Sequence, residues 1–148
     1  MHEVSLPLPN SKVYFAGRYS RKKEIAEVAE LAKKIGVNVV STWHDKPDVE
    51  IDEAAIEANE MFFLKEALAD LDELDTANTL VFFSESPTVG IPRAGRHVEF
   101  GYFLKMKRYK LESRIYVIGP IENIFQLFID EKFADVPTFI YEMSKRIG

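Results

Sequence analysis

The chain reads as an open parallel α/β sheet with helices on both faces. Three observations predict it. Short, continuously apolar runs alternate with longer segments of helical spacing. The first of those runs, Val13-Tyr14-Phe15-Ala16-Gly17, closes on a glycine, as a buried strand entering a ligand loop would. Glycine and proline punctuate the junctions at Gly36, Pro87, Gly90, Pro92 and Gly119-Pro120. Strand–helix alternation at this spacing implies right-handed crossovers, and hence a parallel sheet covered on both faces.

In order along the chain, Val13 to Gly17 is strand one. From Arg21 to Ile35 the apolar residues Ile25, Val28, Ala29, Leu31, Ala32 and Ile35 recur at helical spacing, and Gly36 supplies the stop. Val37 to Val40 is strand two, and His44 to Ile51 is a loop. Asp52 to Ala77 lacks proline and glycine and is rich in Ala, Glu and Leu, which predicts a long helix, kinked or divided. Thr79 to Phe83 is strand three, followed by a loop from Glu85 to Ala94. A helix begins near Gly95 and runs to about Lys107. Ile115 to Ile118 is strand four, and the β-branched and aromatic run Thr138 to Tyr141 reads as a short fifth strand. In strand order 2-1-3-4-5 the crevice opens where strands one and three diverge, near Gly17 and Ser84.

Composition narrows the function. With 148 residues, 47% hydrophobic and 29% charged, residues 1–148 read as one domain. No apolar run reaches the roughly 18 residues of a membrane span, and the residues after Met1 do not read as a signal peptide, so the expected location is cytoplasmic. The absence of cysteine removes disulfides, thiolate metal sites and thiol nucleophiles. A net charge of −5 argues against a nucleic-acid polymer as partner and leaves small phosphorylated ligands open. Three scattered histidines, His2, His44 and His97, do not make a metal site, and no cofactor is expected.

Three segments converge on the predicted crevice: Gly17-Arg18-Tyr19-Ser20, Trp43-His44-Asp45, and the stretch from Glu85 into Gly95-Arg96-His97-Val98-Glu99. Glu99 is expected in the first turn of its helix, where the dipole favours an ionised carboxylate, a usable nucleophile; the same preference also places glutamates there for stability alone. Asp70 sits on or beside an apolar stripe with Phe63, Ala67, Leu74 and Ala77, so it is expected to be paired, protonated or at the edge of a cavity. Its neighbours Asp72, Glu73 and Asp75 read as a solvated acidic face. Two carboxylates suit glycosyl transfer at an anomeric carbon. Arg18, Arg93 and Arg96, with the helix start at Gly95, are candidates to hold a phosphate. Trp43 is placed either to stack on a base or to pack in the core, and His44 and His97 are candidate acids or ligands.

Three motifs in this order, Tyr14-Phe15-Ala16-Gly17, Asp70-Leu71-Asp72-Glu73-Leu74-Asp75-Thr76-Ala77-Asn78 and Arg96-His97-Val98-Glu99-Phe100-Gly101-Tyr102, resemble the nucleoside 2-deoxyribosyltransferase family, which includes deoxynucleoside 5′-monophosphate N-glycosidases. The resemblance implies a flavodoxin-like, Rossmann-like layout. It further implies Glu99 as nucleophile, Asp70 in proton transfer and sugar positioning, and Tyr14 orienting the nucleophile. A homo-oligomer is implied in which a neighbouring subunit contributes a residue from the loop after strand four, for which Asn123 is the candidate. Two positions depart from the family. Arg93 stands six residues before Glu99 where transferases acting on free nucleosides often carry an aspartate, which favours a 5′-monophosphate. Arg18 replaces the small hydroxyl residue of the monophosphate hydrolases. The function so read is cleavage or transfer of the N-glycosidic bond of a small-molecule 2′-deoxynucleoside or its 5′-monophosphate through a covalent deoxyribosyl-glutamate. The rivals are an NAD-cleaving glycohydrolase and a nucleotide sensor that binds without cutting. Apolar residues Phe62, Phe63, Phe125, Leu127 and Phe128 exceed what one small core needs, which also predicts a dimer or larger assembly.

Overall fold

Side-chain alternation along the central strands divides the molecule into two apolar layers. The computed structural model describes residues 11–49, 51–86, 94–110 and 112–147. Its five strands are β1 (Lys12–Ala16), β2 (Asn38–Val39), β3 (Thr79–Phe83), β4 (Arg114–Ile118) and β5 (Glu131–Phe133). All neighbouring pairs are parallel and the order is 2-1-3-4-5. Tyr14 pairs with Leu80, and Leu80 with Ile115, so the three central strands run in step.

Alternate residues of these strands, Val13, Phe15, Val81, Phe83, Tyr116 and Ile118, pack against α1 (Lys22–Lys34) and α5 (Val136–Ile147). The complementary set, Tyr14, Ala16, Leu80, Phe82, Ile115 and Val117, packs against α3 (Glu60–Thr76) and α4 (Gly95–Tyr109) through Leu74, Phe100 and Phe103. Period-two parity therefore sends Tyr14 to the layer that carries both predicted carboxylates. Among the described residues no helix is long and apolar enough to cross a membrane.

One open expectation is settled and two change. The long helix is divided: α2 (Glu53–Ala58) starts on Asp52, whose side chain accepts from the Ala55 N–H, and Asn59, with φ −132° and ψ 41°, separates it from α3. The loop after β2 contains a 3-10 turn, Trp43–Asp45. The run Thr138 to Tyr141 lies in α5, and the fifth strand is Glu131–Phe133. Asp135 explains that reversal, because its side chain accepts the Thr138 N–H at 2.9 Å and starts a helix. Phe139 and Met143, four apart, then bury together beneath the sheet. Local strand propensity loses to a capped amphipathic helix.

Candidate functional site

The order of winding reverses between the parallel strands β1 and β3, since β1 leads outward to β2 on one side and β3 leads to β4 on the other. A cavity of about 720 Å³ opens beside this point, lined by Gly17, Arg18 and Tyr19 after β1, by Trp43, Lys46, Pro47, Val49 and Ile51 after β2, by one face of α3, and by Gly95, Arg96, Val98 and Glu99 of α4. Gly17 is closely packed on its core side: a Cβ there would lie 2.5 Å from Ile25 Cδ1, which would have to shift, and 3.1 Å from Phe83 Cβ.

Glu99 and Asp70 both line this cavity. Glu99 is the fifth residue of α4, whose first turn carries no acidic residue, so the expected first-turn stabilisation does not reach it. Burial instead pushes its carboxyl up to about 8, opposed by a hydrogen bond donated by the Tyr14 hydroxyl to Oε2 and reinforced by the charges of Asp70 and Glu73. The Tyr14 phenol is itself held far above its ordinary range, first by burial and then by the Glu99 charge. Asp70 is raised to about 6, chiefly by burial, with Glu73 adding to the rise and Lys46 opposing it. Its Oδ1 is buried and has no hydrogen-bond partner. The site therefore holds two carboxyls that retain protons to higher pH than exposed ones, and one carboxyl oxygen whose hydrogen-bonding capacity is unmet.

The remaining walls are mostly apolar. Phe62 and Phe63 meet edge to face with centroids 5.1 Å apart, and Ala67, Leu71, Val49 and Ile51 continue the surface. Trp43 serves both predicted roles in part: it packs against both core layers, donates Nε1–H to the Phe15 carbonyl at 2.7 Å, and still borders the cavity. Lys46 and Glu66 form an ion pair at 2.9 Å on the same wall.

Arg96 is almost wholly buried, with Nη2 donating to Glu122 Oε1 at 2.5 Å and its Nε and Nη1 without partners. Glu122 Oε2 accepts the Glu85 N–H, and the Glu85 carboxylate pairs with Arg21 at 2.8 Å. These contacts tie the start of α4 to the loop after β4 and to the residues following β3. Arg93 lies outside the described residues. His44 is corrected: it does not border the cavity but is buried, with Nε2 2.9 Å from Ser41 Oγ and Nδ1 3.2 Å from Asp45, and burial holds its pKa below the usual value. Asn123 is exposed and outside this chain's cavity, where it accepts from the Phe125 N–H at the start of a 3-10 turn, Ile124–Phe128. On the acidic run of α3, Asp72 and Asp75 are exposed as expected, Asp75 accepting the Tyr102 hydroxyl, while Glu73 is partly buried and accepts the Thr42 N–H and hydroxyl.

Sequence reasoning did not single out Lys46, Glu66, Val98 or Glu122. Glu66 was within reach, four residues before Asp70 on a helix. Glu122 was not, because its partner Arg96 is 26 residues away and joined only by tertiary folding.

No protein-family model and no curated protein matches the chain in sequence. Among solved structures it is similar to a CMP N-glycosidase of Clostridium botulinum, BcmB, with TM-score 0.56 and 12% identity over 92% of this chain and 99% of that one. It is also similar to a 2-deoxyribosyltransferase from the psychrotolerant bacterium Bacillus psychrosaccharolyticus, with TM-score 0.60 and 17% identity over 88% of this chain and 90% of that one. The chain thus has the α/β fold of an N-glycosidase and a deoxyribosyltransferase, the fold that its three motifs imply.

Proposed function

We propose that the protein cleaves or transfers the N-glycosidic bond of a 2′-deoxynucleoside or its 5′-monophosphate, with Glu99 as nucleophile. The observation that carries this reading is one cavity holding two proton-retaining carboxyls, Glu99 and Asp70, with the Tyr14 hydroxyl donating to Glu99. The fold shared with a CMP N-glycosidase and a 2-deoxyribosyltransferase supports it.

In the first step Glu99 in its ionised form attacks C1′ of the sugar. A C–O bond forms, the C1′–N bond breaks, and the base leaves with its electron pair and a proton from Asp70. Water or a second base then attacks C1′ of the deoxyribosyl-enzyme, gives up its proton to Asp70, and releases Glu99, so configuration is retained. Tyr14 orients the carboxylate and offsets part of the cost of ionising it in an apolar site. The start of α4 at Gly95, with Arg96 and Arg18 on the same cavity, suits the 5′ end of the substrate, a phosphate included. Asn123 of a neighbouring subunit completes the site in an oligomer. The exposed side chains of Ile124, Phe125, Leu127 and Phe128 beside it support such an assembly.

The test is incubation of wild type and Glu99→Ala with deoxynucleosides and their 5′-monophosphates, with and without an added base, following base release and exchange by chromatography. Release into water marks a hydrolase and exchange a transferase, each lost in the variant. Turnover of NAD instead, or tight binding without release, would replace this reading with one of its rivals.

A further inference from the structure

Helix α3 lines the cavity with pairs that recur every four residues: Asp70 and Leu71, Glu66 and Ala67, Phe62 and Phe63. Each step is about 6 Å along the helix axis. Asp70 marks the chemical end, because its charge acts on Glu99. Beyond the two carboxyls α4 offers about one more turn before it starts at Gly95, whereas α3 continues through Glu66 to Phe62. Were a base at the sugar's C1′ to lie along α3, its outer edge would fall about one turn from Asp70, level with Glu66.

At that level the wall carries a paired cation and anion. Lys46 Nζ stands 2.9 Å from Glu66 Oε2, each side chain is about one-third exposed (35% and 36%), and both border the cavity. Their surroundings, Val49, Ile51, Phe62 and Phe63, are apolar. An ion pair one-third exposed adds little stability by itself. A donor and an acceptor side by side in an otherwise apolar wall do, however, define a hydrogen-bonding pattern.

We propose that Lys46 and Glu66 read the hydrogen-bonding edge of the departing base, Lys46 donating to a ring nitrogen or carbonyl and Glu66 accepting from a neighbouring N–H or NH2. The assignment rests on the glycosidic reading of the cavity. Bases differ in the order of donors and acceptors along that edge, and a pocket built to pair with one order leaves its own polar groups unpaired against another. The pair also acts on Asp70, which Lys46 lowers and Glu66 raises. Because bases differ in how much proton donation their departure needs, that influence can itself alter kcat/KM ratios, and binding to a Glu99→Gln background, where no base leaves, separates it from recognition of the base.

The deciding experiment measures kcat/KM for the four deoxynucleoside 5′-monophosphates with wild type, Glu66→Gln, Lys46→Gln and the exchange Lys46→Glu/Glu66→Lys. Binding of the same nucleotides is measured by calorimetry with and without these changes in a Glu99→Gln background. Ratios between bases are expected to change by about tenfold or more in the single variants. The exchange, which restores an ion pair with its sense reversed, is expected not to restore the wild-type ranking. Equal proportional losses for all bases, or recovery of the original ranking by the exchange, would overturn the proposal. The calorimetric arm decides it even where wild type releases no base, an outcome that would sink the glycosidic reading alone.

Discussion

Tyr14, Glu99 and Asp70 together make a proton inventory with measurable consequences. In the mechanism we propose, Glu99 is ionised to attack and Asp70 protonated to give its proton, yet burial sets Glu99 at about 8 and Asp70 at about 6. Only the less populated protonation state of the pair is then active, roughly one molecule in a hundred at most, and the apparent values belong to the pair. The expected kcat/KM profile is level between about pH 6 and 8 and falls on either side. Tyr14→Phe removes the hydrogen bond that lowers Glu99. The upper break should move to higher pH, and the plateau should fall about tenfold for each pH unit the break moves, read from a pH series on purified variant. An unchanged break position would mean that Tyr14 does not act through Glu99.

Stability follows the same inventory. The Glu99 pKa rises from an ordinary 4.5 to about 8 on folding. Between those values the native state holds more protons than the unfolded one, so its stability falls as pH rises. Glu99→Gln cannot ionise and escapes this loss. Its melting temperature should match wild type near pH 4.5 and exceed it by roughly 10 °C at pH 8.5, by calorimetry at both pH values.

Among the elements, β4 ends on Gly119, whose φ of +111° belongs to the region that only glycine enters readily. A Cβ there would also lie 2.6 Å from Ser84 Oγ, just after β3. Gly119→Ala should destabilise by about 1–3 kcal/mol in a denaturant titration. The start of α4 depends on the loop after β4 through Glu122. Glu122→Ala strips Arg96 of this anionic partner while leaving the guanidinium buried. The cost should be about 3–5 kcal/mol, with Glu122→Gln milder because it keeps a hydrogen-bond acceptor. Elements whose signals are local were legible in the sequence: β1, β3 and β4 as continuous apolar runs, and α1 from its periodicity and Gly36. α5 was misread because Thr138 to Tyr141 has strand composition, while the signs of a helix lay in the Asp135 cap and in Phe139 and Met143 reaching one core.

For the molecule as a whole, the exposed group Ile124, Phe125, Leu127 and Phe128 predicts association, so sedimentation at micromolar concentration should give a dimer or larger species; a monomer would remove the proposed role of Asn123 in a neighbouring site. Not all of the apolar surplus faces outward in the same way, since Phe62 and Phe63 line the cavity. Sequence by itself carried the parallel α/β class and pointed to a crevice beside Gly17, because strand patterning and crossover handedness are carried by neighbouring residues along the chain; its motifs made Glu99, Asp70 and Tyr14 candidates, and Glu99 and Asp70 line one cavity. Only tertiary structure decided that Glu99 and Asp70 are buried enough to keep protons, that His44 faces inward to Ser41, and that Lys46 meets Glu66. Desolvation and long-range pairing depend on what the rest of the chain places around a side chain, and that is fixed only when the layers close.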